Sequence, residues 1–148
     1  MNGYAVSTQP YGIAIDGSGN AWVGTVHGGI TELSNSGNVL YTQSASANAQ
    51  VFGIDGAGSA WTLGDGTEIT GISSSGSILS GPYGYEPPSL YGAQAAAIDG
   101  SGDIWVANGG NNTVTQIIGA AVPVITPIAA GLPGTPTTNG TSNLGTRP

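Results

Sequence analysis

Acidic side chains recur at fixed intervals along this chain. Asp16, Asp55 and Asp99 each open a glycine-rich turn, Asp16-Gly17-Ser18-Gly19, Asp55-Gly56-Ala57-Gly58 and Asp99-Gly100-Ser101-Gly102, spaced 39 and 44 residues apart. Carboxylates in such loops could ligate magnesium or calcium, and calcium takes about six to eight oxygen donors. Asp16 and Asp55 stand alone in their turns, where a single carboxylate caps backbone N–H groups ahead of it. Asp99 has a second carboxylate four residues on, Asp103, so Asp99 and Asp103 are the candidate ligands for Mg or Ca. No other cofactor is indicated.

Other residues could do different chemistry. His27 is the single histidine and falls in a Gly-rich turn, where it is a catalytic candidate or stands simply solvated. Asp65 and Glu68, in Gly64-Asp65-Gly66-Thr67-Glu68, could form a carboxylate pair for acid–base work, or a solvated hairpin. Tyr83, Tyr85, Glu86 and Tyr91 make an aromatic, proline-containing loop with one acid, a candidate contact surface. Trp22, Trp61 and Trp105 repeat with the same 39 and 44 spacing as the aspartates. They could stack on sugar rings, but a residue that recurs in every unit is expected to pack one sheet on the next, with its indole N–H satisfied by a neighbour. No glycine cluster leads into Lys-Ser/Thr and a helix, so no phosphate loop is present. Gly17-Ser18-Gly19 is a hairpin turn and not a nucleophile elbow.

The elements that position these residues are strands. In the first unit Gly12–Ile15, Ala21–Val26, Ile30–Leu33 and Val39–Thr42 are short apolar or alternating runs separated by Gly, Asn, Ser and Asp. A lead-in with Tyr4, Val6 and Thr8 alternating is expected to be an outer strand that ends at Pro10. The second unit repeats all four elements 39 residues later, Ile69 for Ile30, Ile72 for Leu33, Gly76 for Gly37 and Ile78 for Val39. The third runs from Ala95, with Thr113–Ile118 as one strand and Val122–Ile128, interrupted by two prolines, as a fourth at an edge. The glycines recur too often for a helix. Four strands per roughly 40–45 residues is the blade period of a β-propeller. The expected fold is therefore all-β: three four-stranded antiparallel blades, at about 9–48, 49–90 and 91–128, within a segment 1–128. A Pro/Gly/Thr-rich tail over 129–148 is expected to be disordered.

The repeat text resembles that of the NHL-repeat propellers, whose unit runs Pro-x-Gly-Ile-Ala-Val-Asp, a turn, Gly-Asn and an aromatic strand. Gln9-Pro10-Tyr11-Gly12-Ile13-Ala14-Ile15-Asp16 and Gly19-Asn20-Ala21-Trp22-Val23 carry the likeness, and Ala107-Asn108-Gly109-Gly110-Asn111-Asn112-Thr113-Val114 matches the later part. The second unit departs, with Ala49-Gln50-Val51 for Pro-x-Gly and Ser59 for Asn. The pattern is also similar to bacterial streptogramin (virginiamycin B) lyase-like repeat proteins. That likeness implies an elimination by paired histidines and a magnesium ion, of which this chain could supply only His27. Propellers host unrelated activities, so the likeness speaks to fold first.

Known propellers have about four to eight blades, and three cannot close a ring without severe curvature. The chain is expected to be either half of a homodimeric six-bladed ring or part of a longer polypeptide, the latter favoured. Composition narrows the partners. Lys and Arg together number one, Arg147, the net charge is −7 and charged residues make up 6% of the chain. A phosphate backbone needs several cations, so nucleic acid is excluded as a partner. An anionic membrane surface is disfavoured in the same way. No apolar run approaches the roughly 18 residues of a membrane helix, so membrane insertion is not expected. The opening Met1-Asn2-Gly3-Tyr4-Ala5 lacks the basic and apolar regions of a signal peptide. Solubility without ion pairs, from Ser, Thr, Asn, Gln and Gly, points to an extracytoplasmic (periplasmic or secreted) setting. There is no cysteine. The function expected is a non-catalytic module that binds a protein or glycan through rim loops; the alternative is a portion of a streptogramin lyase-like enzyme.

Overall fold

The computed structural model describes residues 3–27, 29–44, 49–81 and 83–124. The tail expected to be disordered, 129–148, lies outside them, as do residues 125–128 of the expected last strand.

Among the described residues, ten strands form three antiparallel sheets and there is no helix. The first sheet holds β1 (Pro10–Ile15), β2 (Ala21–Thr25), β3 (Gly29–Leu33) and β4 (Val39–Ser44) in sequence order. The second holds β5 (Gln50–Ile54), β6 (Ala60–Gly64) and β7 (Glu68–Ile72), and the third β8 (Ala93–Ile98), β9 (Ile104–Asn108) and β10 (Thr113–Ile117). Each sheet is one blade. The first strand of every blade carries a register shift against the second, between Pro10 and Gly12, Val51 and Gly53, and Ala93 and Ala95. A bulge repeated at one phase re-aims the residues at the strand entry.

The blades stack face to face. Trp22, Ile30, Ala49, Val51, Ala60 and Ile72 are buried between the first and second. Trp61, Leu63, Ile69, Leu90, Ile104, Val106 and Ala121 fill the space between the second and third. The contact is close enough that glycine is required where backbones meet. A Cβ on Gly24 would run into the Ala49 carbonyl, and one on Gly12 would lie 2.6 Å from the Val51 carbonyl. Gly24 therefore sets how near blade 2 can approach the middle strand of blade 1.

Four sequence expectations change. The lead-in over 3–9 is not a strand, and Pro10 opens β1 rather than closing an earlier element. Proline fits the first strand position because its missing N–H costs no ladder bond there. Tyr4 instead lays its ring against Gly37. The fourth strand of blade 2 shrinks to single bridges of Ile78 with Ile72 and Tyr85 with Ile69. The Ser80 hydroxyl, 3.3 Å away, takes the Gly71 N–H that a continuing strand would have used. In blade 3, residues 122–124 form no strand. That segment crosses to the preceding blade, where the Gly56 N–H donates to the Val122 carbonyl at 2.9 Å. Lastly, Trp105 is 41% exposed, whereas Trp22 and Trp61 are at 0% and 1%. Nothing among the described residues stacks on the outer face of the third blade, so the same residue at the same phase is left open.

Candidate functional site

The aspartate turns have one geometry three times over. In each, the Asp amide donates to the carbonyl four residues on and its carbonyl accepts from the glycine three on. Those glycines, Gly19, Gly58 and Gly102, have φ of 81°, 78° and 86°, the left-handed region that glycine enters without strain. One carboxylate oxygen takes two turn amides: Ser18 and Asn20 for Asp16, Ala57 and Ser59 for Asp55, Ser101 and Asp103 for Asp99. The other oxygen takes the indole N–H six residues later, Trp22 at 3.3 Å, Trp61 at 3.0 Å and Trp105 at 2.9 Å. The carboxylate thus staples the turn to the next strand. The equal six-residue spacing of Asp and Trp in all three copies was the signal for this link.

These bonds fix the ionised form. Burial alone would push the Asp55 carboxyl up, but the Trp61 indole and the Ser59, Val122 and Ala57 amides outweigh it and hold it below the usual carboxylate range. Burial would raise the less buried Asp16 carboxyl too, and the Asn20, Trp22 and Ser18 bonds outweigh it. Asp99 is lowered first by the Trp105 indole and then by the Asp103 amide. Asp103 is engaged elsewhere: it accepts from Gln116 Nε2 and the Gly119 amide, both at 2.8 Å. The Asp99 and Asp103 carboxylates therefore take protein donors, and among the described residues no three His, Cys, Asp or Glu side chains gather as a metal site. The cleft at this end of the inner strands, about 700 Å³ between the Asp16 and Asp55 turns, presents carboxylates already bonded to their own turns.

The opposite end is different. Here a cleft of about 530 Å³ is lined by Tyr11, Val26, Gln50, Leu63, Asp65, Gly66, Gly92, Ala93 and Gln94. Every blade contributes, through the entries of β1, β5 and β8 and the turns that leave β2 and β6. Tyr11, Gln50 and Gln94 stand 39 and 44 residues apart, one phase of the repeat, and Val26 and Asp65 are again 39 apart. Sequence reasoning singled out only Asp65 among these. The repeat spacing already placed the other residues together, but no motif marked them.

Local chemistry holds the cleft's shape. Asp65 and Gly66 have φ of 33° and 77°, two consecutive left-handed residues of the kind that a two-residue Asp-Gly hairpin demands. The turn closes with the Thr67 N–H on the Gly64 carbonyl at 3.2 Å. The Ala93 N–H donates to the Gly66 carbonyl at 2.9 Å and ties blade 3 to this turn. Buried Asn108 accepts from the Tyr91 amide at 3.3 Å and donates to Thr115 at 2.9 Å, which anchors the loop that brings in Gly92.

The other sequence candidates disperse. His27 is exposed in the β2–β3 turn, one residue past Val26 and outside the cleft lining. Glu68 begins β7 and does not join Asp65 in the lining. Tyr85 stacks on Trp61 at 6.3 Å and 15° and bridges to Ile69, so its ring packs the blade edge. Tyr83 is 79% exposed, Glu86 is exposed, and Tyr91 lies over Gly110 beside the cleft. A carboxylate that sequence reasoning passed over is Glu32, buried in β3 and bonded to Asn20 Nδ2 at 2.9 Å. Burial raises its carboxyl against the Asn20 bond, and the Asp16 charge adds to the rise. Its place at the buried phase of β3, two residues after Ile30, was the available signal.

No protein-family model matches the chain, and no curated protein matches it in sequence. Among solved structures it is similar to virginiamycin B lyase from Staphylococcus aureus, with a TM-score of 0.59 at 15% identity over 78% of this chain and 44% of that one. A streptogramin B lyase structure gives 0.59 and 15%, covering 84% and 44%. The extracellular domain of a hybrid two-component system from B. thetaiotaomicron gives 0.51 and 20%, covering 72% and 16%. The chain spans less than half the length of these proteins. At such identities the likeness is one of fold, and the fold is that of β-propeller blades.

Proposed function

We propose that this chain is a non-catalytic propeller module that binds a neutral glycan in the cleft at the entries of the inner strands. The observation that carries the reading is the lining itself. It offers one aromatic ring, Tyr11, two primary amides, Gln50 and Gln94, and a single carboxylate, Asp65. A ring face for stacking beside neutral donors and acceptors suits a sugar's alternating C–H and O–H surfaces. A general acid and base pair has no second member in the lining. The extracytoplasmic setting follows from the same reading and is supported by the extracellular neighbour and by the charge-poor composition. No helix among the described residues is long and apolar enough to cross a membrane.

A second reading, a portion of a streptogramin lyase-like enzyme, is favoured by the two lyase neighbours. The two readings separate in one experiment. The purified chain is applied to an array of neutral and acidic oligosaccharides, and in parallel incubated with streptogramin B and magnesium while substrate loss is followed by chromatography. Retention of neutral glycans with no substrate loss is expected. Substrate turnover would replace the binding reading with the enzyme reading, and an array without retention would remove the glycan.

A further inference from the structure

The two outer faces of the stack are apolar. In blade 3, the pairs Ala95↔Ala107, Ala97↔Trp105, Val114↔Ala107 and Gln116↔Trp105 place these six residues on the face turned away from blade 2. Trp105 is 41% and Val114 66% exposed. The corresponding faces of blades 1 and 2, centred on Trp22 and Trp61, are covered by the next blade. In blade 1, Ile13 pairs with Val23 and Ile15 with Ala21 on the face turned away from blade 2, and Ile13 and Ile15 are 63% and 60% exposed. Their counterparts in blade 3, Ala96 and Ile98, pack into the core against blade 2. The lead-in residues Tyr4 and Val6 reach the Val23 and Leu33 side of this face and leave the inner strand open. Repeat stacks normally end in units with a polar outer face. The described residues leave two half-interfaces, one of each kind, at opposite ends of the stack.

We propose that two copies of this chain pair head to tail, the Trp105 face of blade 3 in each seated on the Ile13 face of blade 1 in the other, to close a six-bladed ring. The contact continues the interface already made twice within the chain: a tryptophan face on a face of Ala, Val and Ile. Three blades of a six-bladed ring span half a turn, so two identical head-to-tail contacts close it without a free end. Closure also completes the cleft. Tyr11 and Gln94 line its blade 1 and blade 3 margins, and the second copy brings another Tyr11, Gln50 and Gln94 into the same mouth.

Light scattering on the full chain at micromolar concentration tests this. The expected mass is twice that of the chain, and acrylamide should reach one tryptophan in three after dilution but none in the dimer. Val114→Glu and Ile13→Lys, each checked for folding by circular dichroism, should each be monomeric alone. Mixed, they should form a heterodimer, because one of its two interfaces is then wild type and the other pairs Glu with Lys. A monomeric wild-type chain would overturn the proposal and leave the faces to residues 125–148 or to further blades. A dimer lost with Val114→Glu but kept with Ile13→Lys would overturn it in favour of blade 3 meeting blade 3.

Discussion

Asp55→Ala should be far more damaging than the same change at the equivalent Asp99, although the two turns have the same hydrogen-bond pattern. Asp55 is 5% exposed and its carboxylate accepts from Ala57, Ser59, Trp61 Nε1 and Val122. Truncation leaves the buried Trp61 indole and the buried Ser59 amide without their acceptor. A buried donor left unmade costs about 1–3 kcal/mol. Two of them, with the loss of the Val122 anchor, amount to roughly 3–5 kcal/mol, much of the ~5–15 kcal/mol that holds a typical domain. With a urea slope of about 1–3 kcal/mol per molar, the unfolding midpoint should fall by about 2 M. At Asp99 the freed Trp105 indole is exposed in the single chain and turns to water, so at dilutions where the chain is monomeric the midpoint should move by a small fraction of that. Asp55→Asn should resemble Asp55→Ala, because an amide nitrogen would face the Trp61 and Val122 donors. The linkage has the acid sign: the Asp55 carboxyl is lower folded than unfolded, so its contribution is present above the unfolded value near 3.9 and is lost as pH falls through the folded one. Equal midpoint shifts for Asp55→Ala and Asp99→Ala would refute the view that blade stacking, rather than the turn itself, gives the Asp–Trp staple its value.

Two further substitutions probe the stack. Gly24→Ala should destabilise by about 1–3 kcal/mol, as overpacking against the Ala49 carbonyl forces the first two blades apart; thermal unfolding reads it, and Gly17→Ala, with open space around it, is the control. Glu32→Gln should raise the melting temperature at neutral pH, because the folded carboxyl is raised and its ionisation opposes the fold; the gain should shrink as pH falls through the folded value and be gone below the unfolded Glu value near 4.3.

Much of the fold was legible because the repeat constrains several levels at once. The Ile-Asp-Gly-Ser-Gly text gives strand, left-handed glycine and strand, and its return at 39 and 44 residues gives the blades. What escaped was whatever breaks the repeat. The outer strand of blade 2 was expected from the match of Ile78 to Val39, but Ser80 and the connector take over the backbone groups it needed. The exposure of Trp105 depends on what lies beyond the third blade, which no local pattern encodes. The candidate site was harder. Tyr11, Gln50 and Gln94 share a phase, but tyrosine and glutamine at a strand entry have no chemical signature of their own. Asp65 was visible because Asp-Gly announces a hairpin, while its neighbours in the cleft come from β1, β5 and β8, far apart in sequence.

The measurement closest to the central claim is a calorimetric titration of the neutral glycan best retained on the array into the wild-type chain, Tyr11→Ala and His27→Ala. If the cleft at the strand entries is the binding site, Tyr11→Ala weakens binding by about tenfold or more, equivalent to about 1.4 kcal/mol, and His27→Ala binds as the wild type does. Wild-type affinity in Tyr11→Ala, with binding lost in His27→Ala, would place the site on the outer turn and contradict the account.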